Sequence, residues 1–513
     1  MFTAWCVDKI KAGRGAVVAH TSGGRVVAGS NPVGPNMSFH YTNTFSGQLE
    51  EFIPVEKGKV NLYSCGPTVY DRAHIGNFRS YVFADLLRRA LKFGGLHVEH
   101  AVNLTDIDDK TIKSTLQKNP DAGIKDLQQY TSIFITSFFE DLKKMKIEYV
   151  EHYPRATESI ESMIDLVKRL ISRGIAYKQD ESYYFNISAF KDYGKLSKID
   201  LSGIKTGTRY NTDEYDKEDV RDFVLWKSNK GEGNIGWQTD IGYGRPGWHL
   251  ECSAMIHGIF GNTIDIHTGG VDLIFPHHEN EIAQSRCAYD HDFVRYWMHC
   301  EHLLVDGKKM SKSLGNFYTL QDILSKGYDA RALRYALMSV HYRQKMNFTM
   351  KSMESAAQNI RKIDNLMERL LHASLNSDMK DFDTNKIIYW KENILAALED
   401  DLNIAKALAV FHEVLNELNS MLDANKDSLS QNNKNILVAF MKTCDSIFGF
   451  LPDFESNDME REIEDLLQRR SEARKNRQFK EADLIRDQML ALGYEILDTA
   501  QGSRARKIKT DDR

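Results

Sequence analysis

The sequence VNLYSCGPTVYDRAHIGNFRSYVFADLLRRALKFGG, residues 60–95, predicts how this chain begins to fold. Val60 to Cys65 is a short apolar run typical of a buried strand, and the Gly-Pro-Thr triplet at 66–68 ends it. The apolar residues that follow lie on one helical stripe: Phe78, Val82, Leu86 and Ala90. Because Gly94 and Gly95 then end the helix, we predict a strand, a turn and a helix for this segment.

Further strand-like runs make this segment part of a larger sheet. Leu96 to Leu104 follows the helix within the loop lengths of a βαβ unit, which predicts parallel pairing and a right-handed crossover. Strand-like runs return at Thr263–His267 and Trp297–Val305. We therefore predict an α/β fold, with a doubly wound, Rossmann-like parallel-sheet domain split by an insertion, followed by an α-helical bundle and a small C-terminal module.

Changes in composition and periodicity divide the chain into segments. Residues 1–36 contain many glycines and no sustained periodicity, so we expect a flexible N-terminal extension rather than a transit peptide. The insertion alternates helical stretches with a polar stretch rich in Gly and Lys from Ser202 to Gly247, and the bundle shows apolar stripes at helical spacing. The predicted segments are the extension at 1–36, the two halves of the sheet domain at 37–120 and 247–306, the insertion at 121–246, a loop region at 307–345, the bundle at 346–452 and the C-terminal module at 453–513.

Composition limits the class of protein. The 513 residues carry a formal net charge of −5, so a nucleic acid would be bound only through local basic patches. No apolar run reaches the ~18 residues of a membrane span, and we expect a soluble, cytoplasmic protein with no membrane partner. The six cysteines are too scattered for a secreted disulfide framework, so we expect reduced thiols.

The sequence AHIGN, residues 73–77, lies between the predicted strand and the predicted helix. A helix N-terminus presents unpaired N–H groups and the positive end of the helix dipole. Gly76 lets a ligand approach the backbone, while His74 and Asn77 are able to donate hydrogen bonds to phosphate oxygens. The segment therefore predicts an anion site, with a purely structural helix cap as the alternative.

The sequence KKMSKSLGN, residues 308–316, places two lysines three residues apart among small polar residues. Flexible ammonium groups such as those of Lys309 and Lys312 suit the charge that builds on a triphosphate while it is displaced. The alternative is a solvated basic turn.

Together the two sequences resemble the HIGH and KMSKS motifs of the class I aminoacyl-tRNA synthetases. Four further segments resemble the cysteinyl-tRNA synthetase family: YSCGPTVYD at 63–71, NLTDIDDK at 103–110, GWHLECSAM at 247–255 and FPHHENE at 275–281. The resemblance extends from about Met37 to the C-terminus. One departure is Asn77, which replaces the second histidine of the HIGH motif; an amide still donates to phosphate, so we expect activity to be retained.

The resemblance implies the ATP-dependent ligation of L-cysteine to tRNA(Cys) through a cysteinyl-adenylate. It implies that His74, Gly76 and Asn77 bind ATP, with His74 and Asn77 acting on its phosphates. It also implies that Lys309 and Lys312 stabilise the departing pyrophosphate, and that Mg²⁺ accompanies the ATP.

The resemblance further implies one zinc ion per chain, with four ligands: Cys65, Cys252, His277 and Glu281. Two thiolates, an imidazole and a carboxylate are a suitable zinc set. His277 and Glu281 are four residues apart and share a face if His277 begins a helix, while Cys252 is expected in the second half of the sheet. Because zinc prefers a thiolate to a neutral hydroxyl, we expect it to select cysteine over serine without an editing site.

Other residues near these segments are expected to hold the rest of the substrate. Trp248 is a candidate wall of the side-chain pocket, and Thr105 and Asp272 are candidates for the polar ends, with Asp272 suited to the ammonium group. Three histidines are candidates for orienting ligands or substrate, with a structural role as the alternative: His249, His267 and His278. Four cysteines are expected to be structural: Cys6, Cys287, Cys300 and Cys444.

The C-terminal part of the chain suggests the acceptor. Residues 346–513 suit an L-shaped RNA whose anticodon lies far from its acceptor end, and four basic residues are candidates for phosphate contacts: Arg504, Arg506, Lys507 and Lys509. We expect a monomer. Two other functions stay open, namely a cysteine ligase for an amino-sugar acceptor, as in the mycothiol pathway, and a non-catalytic protein that binds zinc and tRNA.

Overall fold

The computed structural model describes nine stretches of the chain: residues 38–199, 222–229, 235–261, 263–289, 291–311, 314–453, 458–476, 478–499 and 502–507. The predicted extension at 1–36 lies outside the described residues, as do Lys312 and Lys509.

The described chain begins with an antiparallel hairpin and then forms half of the central sheet. Its elements are β1 (His40–Asn43), β2 (Gln48–Glu51), β3 (Lys59–Ser64), α1 (Ile75–Phe93), β4 (His97–Val102), α2 (Asp109–Lys118) and α3 (Ile124–Lys144). β3 and β4 pair in parallel and α1 connects them, which confirms the predicted βαβ unit. The predicted stripe of α1 faces the core, where Phe78 and Ala90 are fully buried.

The insertion contains a second sheet that the sequence analysis did not predict. Its elements are α4 (Ile160–Ser172), β5 (Ala176–Gln179), β6 (Ser182–Phe185), β7 (Phe223–Ser228), β8 (Trp237–Thr239) and β9 (Gly242–Pro246). The strands form an antiparallel sheet in the order β5-β6-β7-β9-β8. The prediction of a polar stretch followed from the Gly and Lys content averaged over many residues, which hid the buried apolar run from Phe223 to Trp226.

After the insertion the chain returns to the central sheet. The elements are α5 (Trp248–Phe260), β10 (Ile264–Gly270), α6 (Glu279–Ala288), β11 (Val294–Cys300), β12 (Leu303–Val305) and β13 (Lys308–Lys309). The central sheet has the order β11-β10-β3-β4 with every neighbouring pair parallel, which confirms the predicted doubly wound fold.

One predicted strand, residues 297–305, is two strands in the structure. The chain leaves the central sheet after Cys300, where the Glu301 N–H donates to the Tyr342 carbonyl at 2.7 Å. β12 then pairs with β13 and with a later strand in a separate small sheet. The apolar run continues across the break because both strands are buried, so periodicity did not mark it.

A helical bundle follows the small sheet. Its elements and those leading to it are α7 (Leu320–Ser325), α8 (Ala330–Met338), β14 (Met346–Phe348), α9 (Met350–Leu371), β15 (Ser374–Leu375), α10 (Thr384–Glu399), α11 (Ile404–Ala424), β16 (Ser428–Leu429) and α12 (Gln431–Phe448). The apolar stripes of α9 and α11 are buried, as at Ile363 and Leu418, which confirms that they are packing faces.

The C-terminal module consists of two helices and a hairpin. Its elements are α13 (Asp458–Lys475), α14 (Phe479–Ala491), β17 (Tyr494–Thr499) and β18 (Gly502–Lys507), and the two strands pair antiparallel. A small core of its own holds the module together, formed by Ile463, Leu466, Ile485 and Met489. Three of the predicted phosphate contacts, Arg504, Arg506 and Lys507, belong to β18. No helix in the described part of the chain combines the length and the apolar character needed to cross a bilayer.

A buried carboxylate on α1 joins several elements of the fold. Asp85 Oδ2 accepts hydrogen bonds from Arg89 Nε at 2.8 Å and from the fully buried Arg334. Asp85 Oδ1 accepts from the Glu148 N–H at 2.9 Å. Burial alone would raise the pKa of Asp85, but the guanidinium groups of Arg334 and Arg89 outweigh it and lower the pKa to about 2.

We expect Asp85→Asn to destabilise the fold by about 3–5 kcal/mol, because it leaves buried arginines without their counter-charge. The depressed pKa has a pH consequence: the stabilisation is complete above the unfolded value near 3.8 and is lost as the pH falls through about 2. Thermal unfolding followed by circular dichroism measures both effects. The control is Asp240→Asn, which removes an exposed partner of Lys168 and should leave the midpoint unchanged. Equal midpoints for the two variants would contradict the prediction.

Candidate active site

The candidate active site lies at the carboxyl ends of β3 and β10. From these adjacent strands the chain continues to β4 on one side and to β11 on the other, so the strand order diverges between them. Parallel α/β sheets bind ligands in the crevice at such a point. Cys65 directly follows β3, and Asp272 follows β10 as an exposed residue.

The predicted anion site is the N-terminus of α1, and it is capped by its own residues. His74 Nδ1 accepts from the Asn77 N–H at 3.1 Å, and Asn77 Oδ1 accepts from the His74 N–H at 3.1 Å. This reciprocal cap involves neither Nε2 of the imidazole nor the NH₂ group of the amide. The structural cap and the anion site are therefore compatible uses of the same two side chains.

The loop region after β13 packs against this helix N-terminus. The Ile75 N–H donates to the Tyr318 carbonyl at 2.9 Å, and the Phe317 ring meets the His74 ring edge to face with 5.1 Å between centroids. A Cβ placed on Gly76 would lie 2.7 Å from Met310 Cε, so glycine permits this close approach. Lys309 is exposed on β13. The loop that carries the predicted lysines thus starts beside the predicted phosphate site.

The four predicted metal ligands come together in space. Cys65 follows β3, Cys252 lies on α5, and His277 occupies the helical turn Ile274–His278 that leads into α6, which carries Glu281. One donor atom from each of the four lies within 4.8 Å of every other. The expected position of Cys252 within the sheet is wrong, because the residue lies on a helix that packs next to the sheet.

The electrostatics of this cluster favour ionised ligands. Burial would raise the pKa of Glu281, but His267 and His277 outweigh it and lower the pKa to about 2. Burial also opposes ionisation of Cys252, yet a hydrogen bond from Cys65, helped by the charge of His277, lowers its pKa to about 6. A carboxylate and a thiolate are the forms in which these side chains bind a metal.

One oxygen of the cluster requires a cation beside it. Glu281 Oε1 is buried and accepts no hydrogen bond of good geometry from the described residues, and His277 Nε2 lies 3.0 Å away. An ionised oxygen in this position is costly unless a protonated His277 or a metal ion satisfies it. Two sulfur atoms, an imidazole nitrogen and this oxygen form a donor set that suits zinc.

Histidines surround the cluster and extend it. His267 Nε2 lies 2.9 Å from Glu281 Oε2, and His278 Nε2 lies 3.2 Å from Cys65 Sγ, so a second set of four donors shares Cys65 and Glu281 with the first. Both histidines therefore lie beside the predicted ligands, where either an orienting or a structural role is open to them. His249 Nδ1 lies 3.1 Å from His277 Nδ1.

The sequence analysis did not identify His299, which continues this hydrogen-bonded chain. His299 Nε2 lies 2.7 Å from His278 Nδ1, and its Nδ1 lies 2.8 Å from Thr44 Oγ1. Burial lowers the pKa of His299 to about 3, so the ring is neutral. Its place near the carboxyl end of β11 had no signal in the sequence, because the predicted strand continued from Trp297 to Val305.

Two of the predicted substrate contacts, Trp248 and Thr105, already have partners in the structure. The Trp248 ring stacks on the His277 ring, with 4.4 Å between centroids, and so lies beside the four predicted metal ligands. Thr105 is buried and its hydroxyl donates to Glu251 Oε2 at 2.7 Å. Glu251 is a second buried residue that the sequence analysis did not identify, and burial raises its pKa well above the usual range.

Comparisons with known proteins agree with this arrangement. The sequence model of the tRNA synthetases class I (C) catalytic domain matches residues 51–358, that of the DALR domain matches 393–452, and that of the cysteinyl-tRNA ligase anticodon binding domain matches 456–506. The cysteine–tRNA ligase of Leptospira interrogans is 50% identical over 479 residues, covering 92% of this chain and 100% of that protein. The cysteine–tRNA ligase of Chlamydia muridarum is 42% identical, with coverage of 92% and 100%.

Solved structures share the fold at lower identity. The methionyl-tRNA synthetase of Mycobacterium tuberculosis, solved in complex with methionyl-adenylate, has a TM-score of 0.55 and 15% identity, covering 76% of this chain and 89% of that chain. The likeness at this identity concerns the fold alone.

The parallel sheet, its split by an insertion and the catalytic-domain match together define a class I aminoacyl-tRNA synthetase. Within this class, the chain belongs to the cysteinyl-tRNA synthetase family. It is therefore an enzyme, a ligase that charges tRNA with cysteine.

Proposed function

We propose that this chain activates L-cysteine with ATP and transfers it to tRNA(Cys), and that a zinc ion held by Cys65, Cys252, His277 and Glu281 selects the substrate thiolate. The observation that supports this proposal is the convergence of four donor atoms within 4.8 Å at the carboxyl ends of the central strands. The cluster lies where the fold binds its ligands, and a structural metal would not need to be there.

The proposed zinc has a role in specificity and not in the bond-making steps. A pocket cannot separate cysteine from serine by shape, because the two differ only in sulfur and oxygen. When bound, zinc would supply a soft Lewis acid that binds a thiolate and leaves a neutral hydroxyl unbound. The stacked Trp248 beside His277 would close the side-chain pocket around the sulfur.

The first step would take place at the N-terminus of α1. A carboxylate oxygen of cysteine attacks the α-phosphorus of ATP, the bond from that phosphorus to the bridging oxygen breaks, and pyrophosphate leaves with the electron pair. His74 and Asn77 would donate to phosphate oxygens, and Gly76 would let the nucleotide approach the backbone. Lys309 and Lys312 would neutralise the developing pyrophosphate charge, with Mg²⁺ accompanying the ATP.

The remaining contacts would orient the amino acid for that attack. Asp272, exposed at the end of β10, is suited to the substrate ammonium. Thr105 would act from a fixed position, because its hydroxyl is already held by Glu251. The terminal ribose hydroxyl of tRNA then attacks the carbonyl carbon of the adenylate, and AMP leaves.

The predicted segments would contact different parts of the tRNA. We propose that 37–120 and 247–306 form the catalytic domain, that 307–345 contacts the acceptor stem, and that 346–452 and 453–513 hold the rest of the tRNA down to its anticodon. An amino-sugar acceptor would need no such surface, which favours tRNA over that alternative. The monomeric state and the cytoplasmic location stay predictions.

Replacement of the metal by Co²⁺ tests the selection mechanism. We expect one equivalent of metal per chain, and a stronger thiolate-to-cobalt absorption on addition of cysteine but not of serine, because only cysteine adds a sulfur ligand. The matched readouts are cysteine-dependent ATP–pyrophosphate exchange and transfer to tRNA(Cys) or to an amino-sugar. A cobalt spectrum unchanged by cysteine in an active enzyme would overturn the role of the metal, and transfer to the amino-sugar alone would overturn the acceptor.

A further inference from the structure

The end of α12 lies at the border between the bundle and the anticodon-binding domain. The match to that domain begins at residue 456, and four residues separate Asp453 from Asp458, the first residue of α13. Gly449 ends α12 in the left-handed conformation with φ of 64°, and its N–H donates to the Asp445 carbonyl at 2.8 Å. Residues 445–453 are therefore the last described residues of the bundle before the match to the anticodon-binding domain.

Two buried arginines from other elements bind the carbonyl groups of this helix end. Arg89 of α1 donates to the Ser446 carbonyl at 3.1 Å, and Arg334 of α8 donates through Nε to the Phe448 carbonyl at 2.7 Å. The last carbonyls of a helix lack partners within the helix and carry the negative end of its dipole. Guanidinium groups therefore both satisfy these carbonyls and fix the direction of the helix end.

A lysine binds the chain just beyond the helix. Lys146, which follows α3, donates through its ammonium group to the Leu451 carbonyl at 2.6 Å and lies 2.8 Å from the Asp453 carboxylate. Its own backbone carbonyl accepts from Arg89 at 2.9 Å and from Arg334 at 3.3 Å. The three cations thus form one connected structure around residues 445–453.

The same structure is tied to the helix that carries the predicted ATP contacts. Asp85 of α1 accepts from both Arg89 and Arg334, so one carboxylate sets the position of both guanidinium groups. α1 begins at Ile75, directly after its N-cap residue His74, and holds Asp85 and Arg89 in its second half. A Cβ on Gly449 would lie 2.9 Å from Arg334, which shows how closely the helix end fits.

We propose that Arg89, Lys146 and Arg334, here named the exit clamp, are positioning residues for the charging of tRNA. The clamp fixes where and in which direction the bundle ends at Asp453, and because four residues connect Asp453 to α13, it would limit the span between the anticodon-binding domain and the site of adenylate formation. A tRNA held by its anticodon then presents its terminal ribose at the correct place. The inference rests on the charging of tRNA(Cys) stated above.

The clamp should affect one step of the reaction and not the other. Adenylate formation would use groups at the carboxyl ends of the central strands. The clamp residues lie elsewhere: Arg89 in the second half of α1, Lys146 just after α3 and Arg334 on α8. Transfer to tRNA depends on the distance between two ends of one large substrate, and displacements near 1 Å cost up to about 10²-fold in rate.

Lys146→Met tests the clamp, with Lys144→Met as its matched control. Both variants remove one lysine charge near the end of α3, but among the described residues Lys144 forms its ion pair with Asp141 of its own helix, at 3.9 Å. We expect Lys146→Met to leave cysteine-dependent ATP–pyrophosphate exchange unchanged and to lower kcat/KM for tRNA(Cys) by about 10-fold. For tRNA(Cys) with one altered anticodon base, kcat/KM should fall much less, so the preference for the native anticodon shrinks. Lys144→Met should retain the full preference.

Three further results distinguish a role of the clamp from misfolding of a variant and from failure of the proposed tRNA charging. Arg334→Lys, which keeps the charge but loses the fork of donors, should shrink the anticodon preference in the same way if its exchange activity shows that it folds. Equal losses on both tRNAs in Lys146→Met, or no loss on either, would overturn the clamp. Failure of the unmodified enzyme to charge either tRNA would instead overturn the acceptor.

Discussion

Cys252→Ser is expected to lower kcat/KM for cysteine in ATP–pyrophosphate exchange by about 10³-fold. Serine keeps the size of the side chain, but its hydroxyl stays protonated near neutral pH and does not replace a thiolate as a zinc ligand. The proposed donor set would fall from four members to three, and the residue is fully buried, so no outside group replaces the lost sulfur. The affinity for ATP should change little, because the nucleotide site is built from other residues.

The matched control is Cys287→Ser, which makes the same chemical change on the neighbouring helix α6. Cys287 is half-buried, belongs to neither set of four donors, and has its pKa raised by burial to about 11. Its variant should keep both exchange activity and one equivalent of zinc, while Cys252→Ser should lose both. Full exchange activity in Cys252→Ser, with thermal unfolding equal to that of the control, would remove Cys252 from the proposed site.

The four predicted metal ligands show which parts of the site could be predicted from the sequence and which could not. His277 and Glu281 are four apart, so helical geometry alone places them on one face. Cys65 and Cys252 are far apart in the chain, and only the resemblance of their segments to a known family connected them. Their approach follows from the packing of α5 against the central sheet, and that packing is a tertiary event without a local signal.

His299 and Glu251 are two residues of the site that could not be predicted from the sequence. Neither belongs to a local pattern that predicts chemistry, and each acquires its contacts through tertiary packing: His299 with His278 before α6, and Glu251 with Thr105 after β4. By contrast, the parallel strands β3 and β4 were predictable, because β3 is ended by Gly66 and Pro67, β4 follows Gly94 and Gly95, and the helix between them shows its own period. The strands of the insertion were hidden, because short runs such as Phe223–Trp226 lie in a segment whose average composition is polar.

Lys312→Ala is expected to slow adenylate formation by about 10²–10³-fold while changing the KM for cysteine much less. The ammonium group would meet the pyrophosphate only as negative charge develops on it, so its loss raises the barrier without weakening the ground-state contacts of cysteine. The described part of this loop packs against the N-terminus of α1 through Met310 and Phe317, which places the loop beside the predicted phosphate contacts. Measuring kcat and KM separately in ATP–pyrophosphate exchange distinguishes the two effects.

Lys308→Ala provides the matched control for this prediction. Lys308 is exposed in the same short strand as Lys309 and lies outside the KMSKS segment, so its removal takes one positive charge from the same surface. If the lysines acted only through the overall positive charge of the loop, the rate of adenylate formation would fall by a similar factor in both variants. That factor would also shrink as salt is added, because salt screens exposed charges. A specific contact with the leaving pyrophosphate predicts a large loss in Lys312→Ala alone, and that loss should persist at high salt. Equal rates for Lys312→Ala and the unmodified enzyme would refute the proposed role.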